Sequence, residues 1–129
     1  MKLSMSVTSN LKTKEAKDIL GKATRLAMRD TVVEIANDSM RNTPKLTGHN
    51  MRSIAGEVSG MGTVQQGADA EPGKIVDDSK MEGAVYSTSG YGGYLETGTA
   101  RMDARPYMNP AKEKHFTPAK FAEKVRKYT

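Results

Sequence analysis

The stretch VYSTSGYGGYLETGTARMDARPYMNPA, residues 85–111, joins a strand pattern to a helix start within one short run. It grows out of a β-patterned segment over 83–88. Gly90, Gly92, Gly93 and Gly98 permit positive φ or close backbone approach, so the chain can turn sharply twice here. Pro106 holds Arg105 extended, which suits an arm leading into Tyr107. Asn109-Pro110 then reads as a helix start: Asn caps free amides, and Pro in the first helical position loses no hydrogen bond. Strand, turn, arm and helix in succession define a mixed chain.

Working outward, Leu3, Met5 and Val7 alternate with Lys2, Ser4, Ser6 and Thr8, a half-buried strand of period two. From about Thr13 to Met40 the pattern is helical. Ala16, Ile19, Leu20, Ala23, Leu26 and Ala27 mark one stripe, which Val33, Ala36 and Met40 continue with a drift. Unbroken, this helix would be about 40 Å long. Gly21, costing about 1 kcal/mol against Ala, reads as a point of close packing on the sheet. Asn42-Thr43-Pro44 ends the helix. A strand is expected over 51–59, paired with another over 81–88. Between them residues 60–80 read as one long loop, with Ile75-Val76 as a brief strand inside it, mobile in the free subunit. Pro110 opens one C-terminal helical piece and Thr117-Pro118 a second. In the second, Phe121, Val125 and Tyr128 form a stripe expected to pack on the sheet. The expectation is a single α+β domain over 1–129: a small antiparallel sheet packed against one long N-terminal helix, with C-terminal helices.

Composition narrows the function. With 129 residues, 36% hydrophobic content and a mean hydropathy of −0.62, the core is small relative to the surface. That suits a chain more stable in an assembly than alone. No apolar run approaches the length of a membrane span, and the alternating start lacks the apolar centre of a signal peptide. The absence of cysteine excludes disulfides and thiolate metal sites and fits a reducing cytoplasm. The net charge of +5 is segregated. Residues 1–52 carry ten Lys/Arg and five Asp/Glu, residues 53–100 two and seven, residues 101–129 eight and three. Segregation of this kind can give stacked subunits complementary faces.

Catalytic and cofactor patterns fail one by one. His49 and His115 stand far apart with no ligand-spaced partners, so no metal site is expected. Gly67 to Lys74 has one residue too many between its glycines for a phosphate loop, and Ile75 follows the lysine. Leu95 occupies the third-glycine position of a dinucleotide fingerprint begun at Gly90. Asp77-Asp78 lacks the alternating spacing of a calcium loop. Glu96 is the one carboxylate inside a recognisable motif, and a structural, hydrogen-bonded role is expected of it. The chain reads as a non-enzyme with no cofactor. Tyr86, Tyr91, Tyr94 and Tyr107 cluster in one stretch, a composition typical of interfaces and of base-stacking surfaces.

Two ordered pieces carry a family resemblance. The first is Thr43-Pro44-Lys45-Leu46-Thr47-Gly48, a His49-Asn50 link, then Met51-Arg52-Ser53-Ile54. The second is Tyr94-Leu95-Glu96-Thr97-Gly98-Thr99, a spacer, Met102-Asp103-Ala104-Arg105-Pro106-Tyr107, and Pro110-Ala111. In this order they resemble the head–tail joining, or tail-completion, proteins of long-tailed bacteriophages. The resemblance implies a structural virion protein made in the host cytoplasm and placed in the phage neck. It would form a ring of copies of itself, six-fold by family expectation, around the channel through which genome DNA passes. Its neighbours would be a head-side connector or head-closure protein and a tail terminator or tail-tube protein, with no membrane. The contact residues implied are Thr47, Gly48, Arg52, Tyr94, Glu96, Gly98, Thr99, Met102, Ala104, Arg105, Pro106, Tyr107 and Pro110. Two rivals stand beside this reading: a tail terminator or head-closure role, and a small basic DNA-binding module.

Overall fold

The computed structural model of the chain describes residues 2–4, 14–43, 48–90 and 106–129. The elements are β1 (Lys2–Ser4), α1 (Lys14–Asn42), α2 (His49–Arg52), β2 (Ile54–Val58), β3 (Gly62–Gln66), β4 (Glu82–Ser87), α3 (Asn109–His115) and α4 (Pro118–Lys127). The four strands form one antiparallel sheet in the order β1-β4-β2-β3. The expected α+β architecture is present, with the long N-terminal helix against the sheet and C-terminal helices beyond it.

Helix α1 runs unbroken for 29 residues and lies across one sheet face. Its approach is set by glycines in the strands. A Cβ at Gly56 would lie 2.7 Å from Val32 Cγ1, and one at Gly83 would lie 2.6 Å from Val32 Cγ2 and 3.0 Å from Met28 Sδ. Gly83 pairs with Val58, and Gly56 with Val85, on the same face. Val32 thus seats in a hollow that only residues without side chains can form. This corrects the expected role of Gly21, around which there is open space. The apolar stripe holds at Ala23, Ala27 and Ala36, which are buried, and is corrected elsewhere: Met28, Val32 and Ile35 are fully buried, whereas Ile19 is 56% exposed. Buried Thr24 and Thr31 satisfy their hydroxyls on the Leu20 and Ala27 carbonyls, at 2.8 and 3.0 Å.

Both C-terminal helices pack on α1, which for α4 corrects the expectation that it lies on the sheet. Their contacts step antiparallel to α1. His115 meets Asp38 and lies 3.4 Å from Glu34. Lys124 Nζ donates to Glu34 Oε2 at 2.7 Å, and Tyr128 OH donates to Asp30 Oδ2 at 2.5 Å. Phe121 and Phe116 meet edge to face with centroids 5.9 Å apart. Thr117 caps α4 as expected, its side chain accepting from the Lys120 amide. At α3 the boundary shifts by one residue: Met108 is the cap, with no side-chain hydrogen bond, and Asn109 is already helical.

Residues 60–80 hold more structure than the single loop expected. Gly60 and Gly62, with φ of 77° and 74°, turn the chain tightly from β2 into β3. Gly56 pairs with Gln65 but Glu57 with Thr63, leaving Val64 as the extra residue of a bulge. Thr63 and the two glutamines hide the strand from a hydropathy pattern. Residues 68–80 then form a strap across the sheet face opposite α1. Ala70 and Val76 turn inward from it, while Ile75 stays exposed and the Ile75-Val76 pair forms no strand. Two buried carboxylates hold the strap: Glu57 Oε1 accepts from the Ile75 amide at 2.7 Å, and Glu82 Oε2 from the Asp77 amide at 3.0 Å. Tyr86 OH donates to the Gly73 carbonyl at 2.9 Å. Hydrogen exchange of the isolated subunit should therefore show slow exchange at the Ile75 and Asp77 amides, and Glu57→Ala should abolish it at Ile75. Fast exchange at both amides in the unaltered chain would contradict the anchoring and restore the expectation of a mobile segment.

Candidate functional site

The first motif piece is built around a left-handed glycine. Gly48 has φ of 77°, and a Cβ there would lie 2.7 Å from Arg52 Nη1. That conformation suits glycine and lets its carbonyl accept from the Arg52 amide at 3.0 Å, closing the single turn of α2. The strand expected to start at Met51 therefore starts at Ile54 instead. Arg52 Nε donates to Asp69 Oδ2 at 2.8 Å, and His49 Nδ1 lies 3.3 Å from the same oxygen. The strap's start is pinned by backbone as well, Gly67 N to the Ile54 carbonyl at 2.9 Å and Asp69 N to the Arg52 carbonyl at 2.8 Å.

Hydrogen bonds from Arg52 first, and then from His49, hold the Asp69 carboxyl below the usual aspartate value of 3.8. Its depressed pKa means that the Asp69 contribution to this corner is complete above the ordinary carboxylate range and is lost as pH falls through the lower folded value. The group is exposed, so the effect is local. Carbon-detected titration of Asp69 should give a midpoint below that of a free aspartate, and Arg52→Ala should move it back up. An unchanged midpoint in the variant would contradict the pairing.

Asn50 is the hub that sequence reading missed. It is 1% exposed. Its Nδ2 donates to Thr43 Oγ1 at 2.8 Å, and its Oδ1 accepts from Ser87 Oγ at 2.5 Å and Ser89 Oγ at 2.7 Å. Thr88 adds two bonds to the Ser53 carbonyl, from its amide and its hydroxyl, each 2.9 Å. The end of α1, the first motif piece and the end of β4 are thereby locked together. Gly90 follows, with φ of 87° and open space around it; the second motif piece begins at Tyr94, outside the described residues. In sequence Asn50 stood out only as part of the two-residue link after Gly48.

Of the contact residues implied by resemblance, Gly48 and Arg52 sit at this corner. Pro106 and Pro110 are exposed at the entry to α3. Tyr107 differs: it is 1% exposed and belongs to the core with Met108, Ala111 and Phe121, so here it anchors the chain internally. Thr47, Tyr94, Glu96, Gly98, Thr99, Met102, Ala104 and Arg105 lie outside the described residues, as do Met5 and Val7 of the expected first strand.

One arrangement has the outline of nucleophile chemistry. Ser53 Oγ lies 3.5 Å from His49 Nε2, and His49 Nδ1 faces Asp69. Ser53 is fully buried, however, and its hydroxyl donates to the His49 carbonyl at 2.7 Å. A serine without access and with its proton committed to backbone cannot attack a substrate, so the trio serves as a brace. A cleft of about 270 Å³ opens elsewhere, between the β2–β3 turn and the strap, lined by residues including Glu57, Gly60, Lys74 and Asp78. Its charges are already partnered: Lys74 with Asp78, Asp78 with the Gly60 amide at 2.9 Å, Glu57 with the Ile75 amide. Among the described residues no helix is long and apolar enough to cross a membrane. No family model, curated protein or solved structure matches the chain.

Proposed function

We propose that this chain is a structural protein of a phage neck, a ring-forming subunit that joins the head connector to the tail and lines the DNA channel. The observation that carries the reading is the Asn50 junction. Two motif pieces separated by about forty residues in sequence resemble one family in order. The first piece and the end of β4, the strand that precedes the second piece in sequence, meet at one corner of the fold through Thr43, Asn50, Ser87 and Ser89. A corner that fixes the first piece against the end of β4 is what a subunit interface needs, because ordering cost is met in advance. Work of this kind is assembly and requires no turnover of a substrate. In the ring, Arg52 and the segment after Gly90 would contact the adjacent copy, and the head-side connector and tail-tube or tail-terminator proteins would stack above and below.

The tail-terminator and head-closure roles share this geometry and differ in neighbours. The DNA-module reading draws on the basic α3–α4 surface. Purified protein sized by mass photometry, with duplex DNA binding measured in parallel, separates the classes. The neck reading expects closed oligomers and weak DNA binding. A monomer whose DNA affinity falls with salt at a log–log slope of about −0.9 per phosphate contacted would favour the DNA module instead.

A further inference from the structure

The segregated charge in the sequence becomes two opposed faces in the fold. Residues 53–90 carry six Asp/Glu against two Lys. Glu71, Asp77 and Asp78 of this set are exposed on the strap, on the sheet face away from α1. Helices α3 and α4 carry six Lys/Arg against two Glu, and they pack on α1, on the other side of the sheet. Lys114, Lys120, Arg126 and Lys127 are exposed there. Counting exposed groups alone, the strap carries Asp69, Glu71, Asp77 and Asp78 against Lys74 and Lys80, and α3–α4 carry those four bases against Glu113 and Glu123, so one side is net acidic and the other net basic.

We infer that copies of this chain associate face to back, the acidic strap of one seated against the basic α3–α4 surface of the next. A two-fold dimer would set like charge on like. Only a heterologous contact, with the two faces on different copies, brings them together, and repeating such a contact yields a closed ring or an open stack. The occupant of each face is therefore a second copy, since each patch has its complement in sign and size on the same molecule. Two exposed features suit the strap to this role. Glu71 is exposed on the strap, its amide donating to Thr88 Oγ1 at 3.1 Å, and Ile75 on the same strap exposes 45% of its surface, an apolar element among charged neighbours in sequence. The inference deepens the ring reading and rests on it, but it specifies contacts that a ring could lack.

Three forms of the full chain test it: the unaltered protein, a strap variant (Glu71→Lys with Asp77→Lys) and a helix variant (Lys120→Glu with Arg126→Glu). Circular dichroism checks that each is folded, and neutral versions (Glu71→Gln with Asp77→Asn; Lys120→Gln with Arg126→Gln) replace any that is not. Sedimentation at about 0.05 M and about 0.5 M salt reads association, since screening shortens from roughly 14 Å to roughly 4 Å over that range. The unaltered protein should associate at least about tenfold more weakly in high salt. Each reversed variant alone should be monomeric at low salt, and an equimolar mixture of the two should associate again, because each then supplies the face the other has lost. The neutral versions should weaken association without rescue on mixing. A protein that is monomeric in low salt, a mixture that fails to restore association, or a strap variant that associates normally would each overturn the inference. A salt-insensitive ring would overturn it while leaving the neck reading in place. Loss of DNA binding in the helix variant, with self-association untouched in both, would assign the basic face to nucleic acid and overturn it likewise.

Discussion

Alanine at Gly83 should destabilise the fold by about 1–3 kcal/mol, the usual range for overpacking, and alanine at Gly56 by a similar amount. The added Cβ would stand 2.6 Å from Val32 at Gly83 and 2.7 Å from it at Gly56. Real Cβ contacts do not occur at such distances, so something must move. Val32 cannot rotate away cheaply, because a β-branched side chain in a helix has essentially one χ1 well. The helix must then lift off the sheet, loosening Met28, Ile35, Val58 and Val85 together. Val32→Ala removes the colliding methyls and should restore part of the stability lost by Gly83→Ala, even though Val32→Ala alone leaves a cavity. Urea unfolding of the two single variants and the double variant gives the coupling directly. Strict additivity would contradict the close approach.

Asn50→Ala should cost about 1–3 kcal/mol and should also loosen the corner on which the first motif piece meets the end of β4. The substitution leaves Thr43, which is buried, and Ser87 and Ser89, which are half-buried, without their shared partner. Ser87 and Ser89 can still bond each other at 2.9 Å, which limits the loss. The amide and hydroxyl of Thr88 still bond the Ser53 carbonyl, and pairing with β2 holds β4 in register. The fold should therefore survive while the geometry leading into Gly90 relaxes. Amide exchange should quicken at Thr88 and Ser89 far more than in the α1–α4 contact. Equal stability and unchanged exchange would remove Asn50 from the centre of the site.

The sequence carried the broad architecture because the strongest signals were local. Thr117-Pro118 states a cap and first turn outright, and the strand expected over 81–88 pairs with the one expected over 51–59. Signals failed where tertiary packing decides. Helix α1 is covered on two sides, by sheet and by C-terminal helices, so no single stripe describes it, and the drift between stripes concealed Val32 and Ile35. Gly21 attracted notice as a glycine in a helix, whereas the functional glycines lay in strands opposite that helix. Strand β3 is an edge strand with polar residues on both sides and gives no alternation to read. The hub at Asn50 was illegible for a different reason: its partners lie 7, 37 and 39 residues away. No local pattern brings a buried amide and three hydroxyls together. In the brace, His49 and Ser53 are neighbours four residues apart, and only Asp69 arrives from twenty residues away.

Electron microscopy of lysates from a phage lacking this gene tests the central claim most directly. If the chain is a neck ring subunit, DNA-filled heads and finished tails should accumulate unjoined. Supplying the intact chain should restore joined particles, and the Asn50→Ala form should restore fewer. Joined, infectious particles in normal number without the gene would contradict the account.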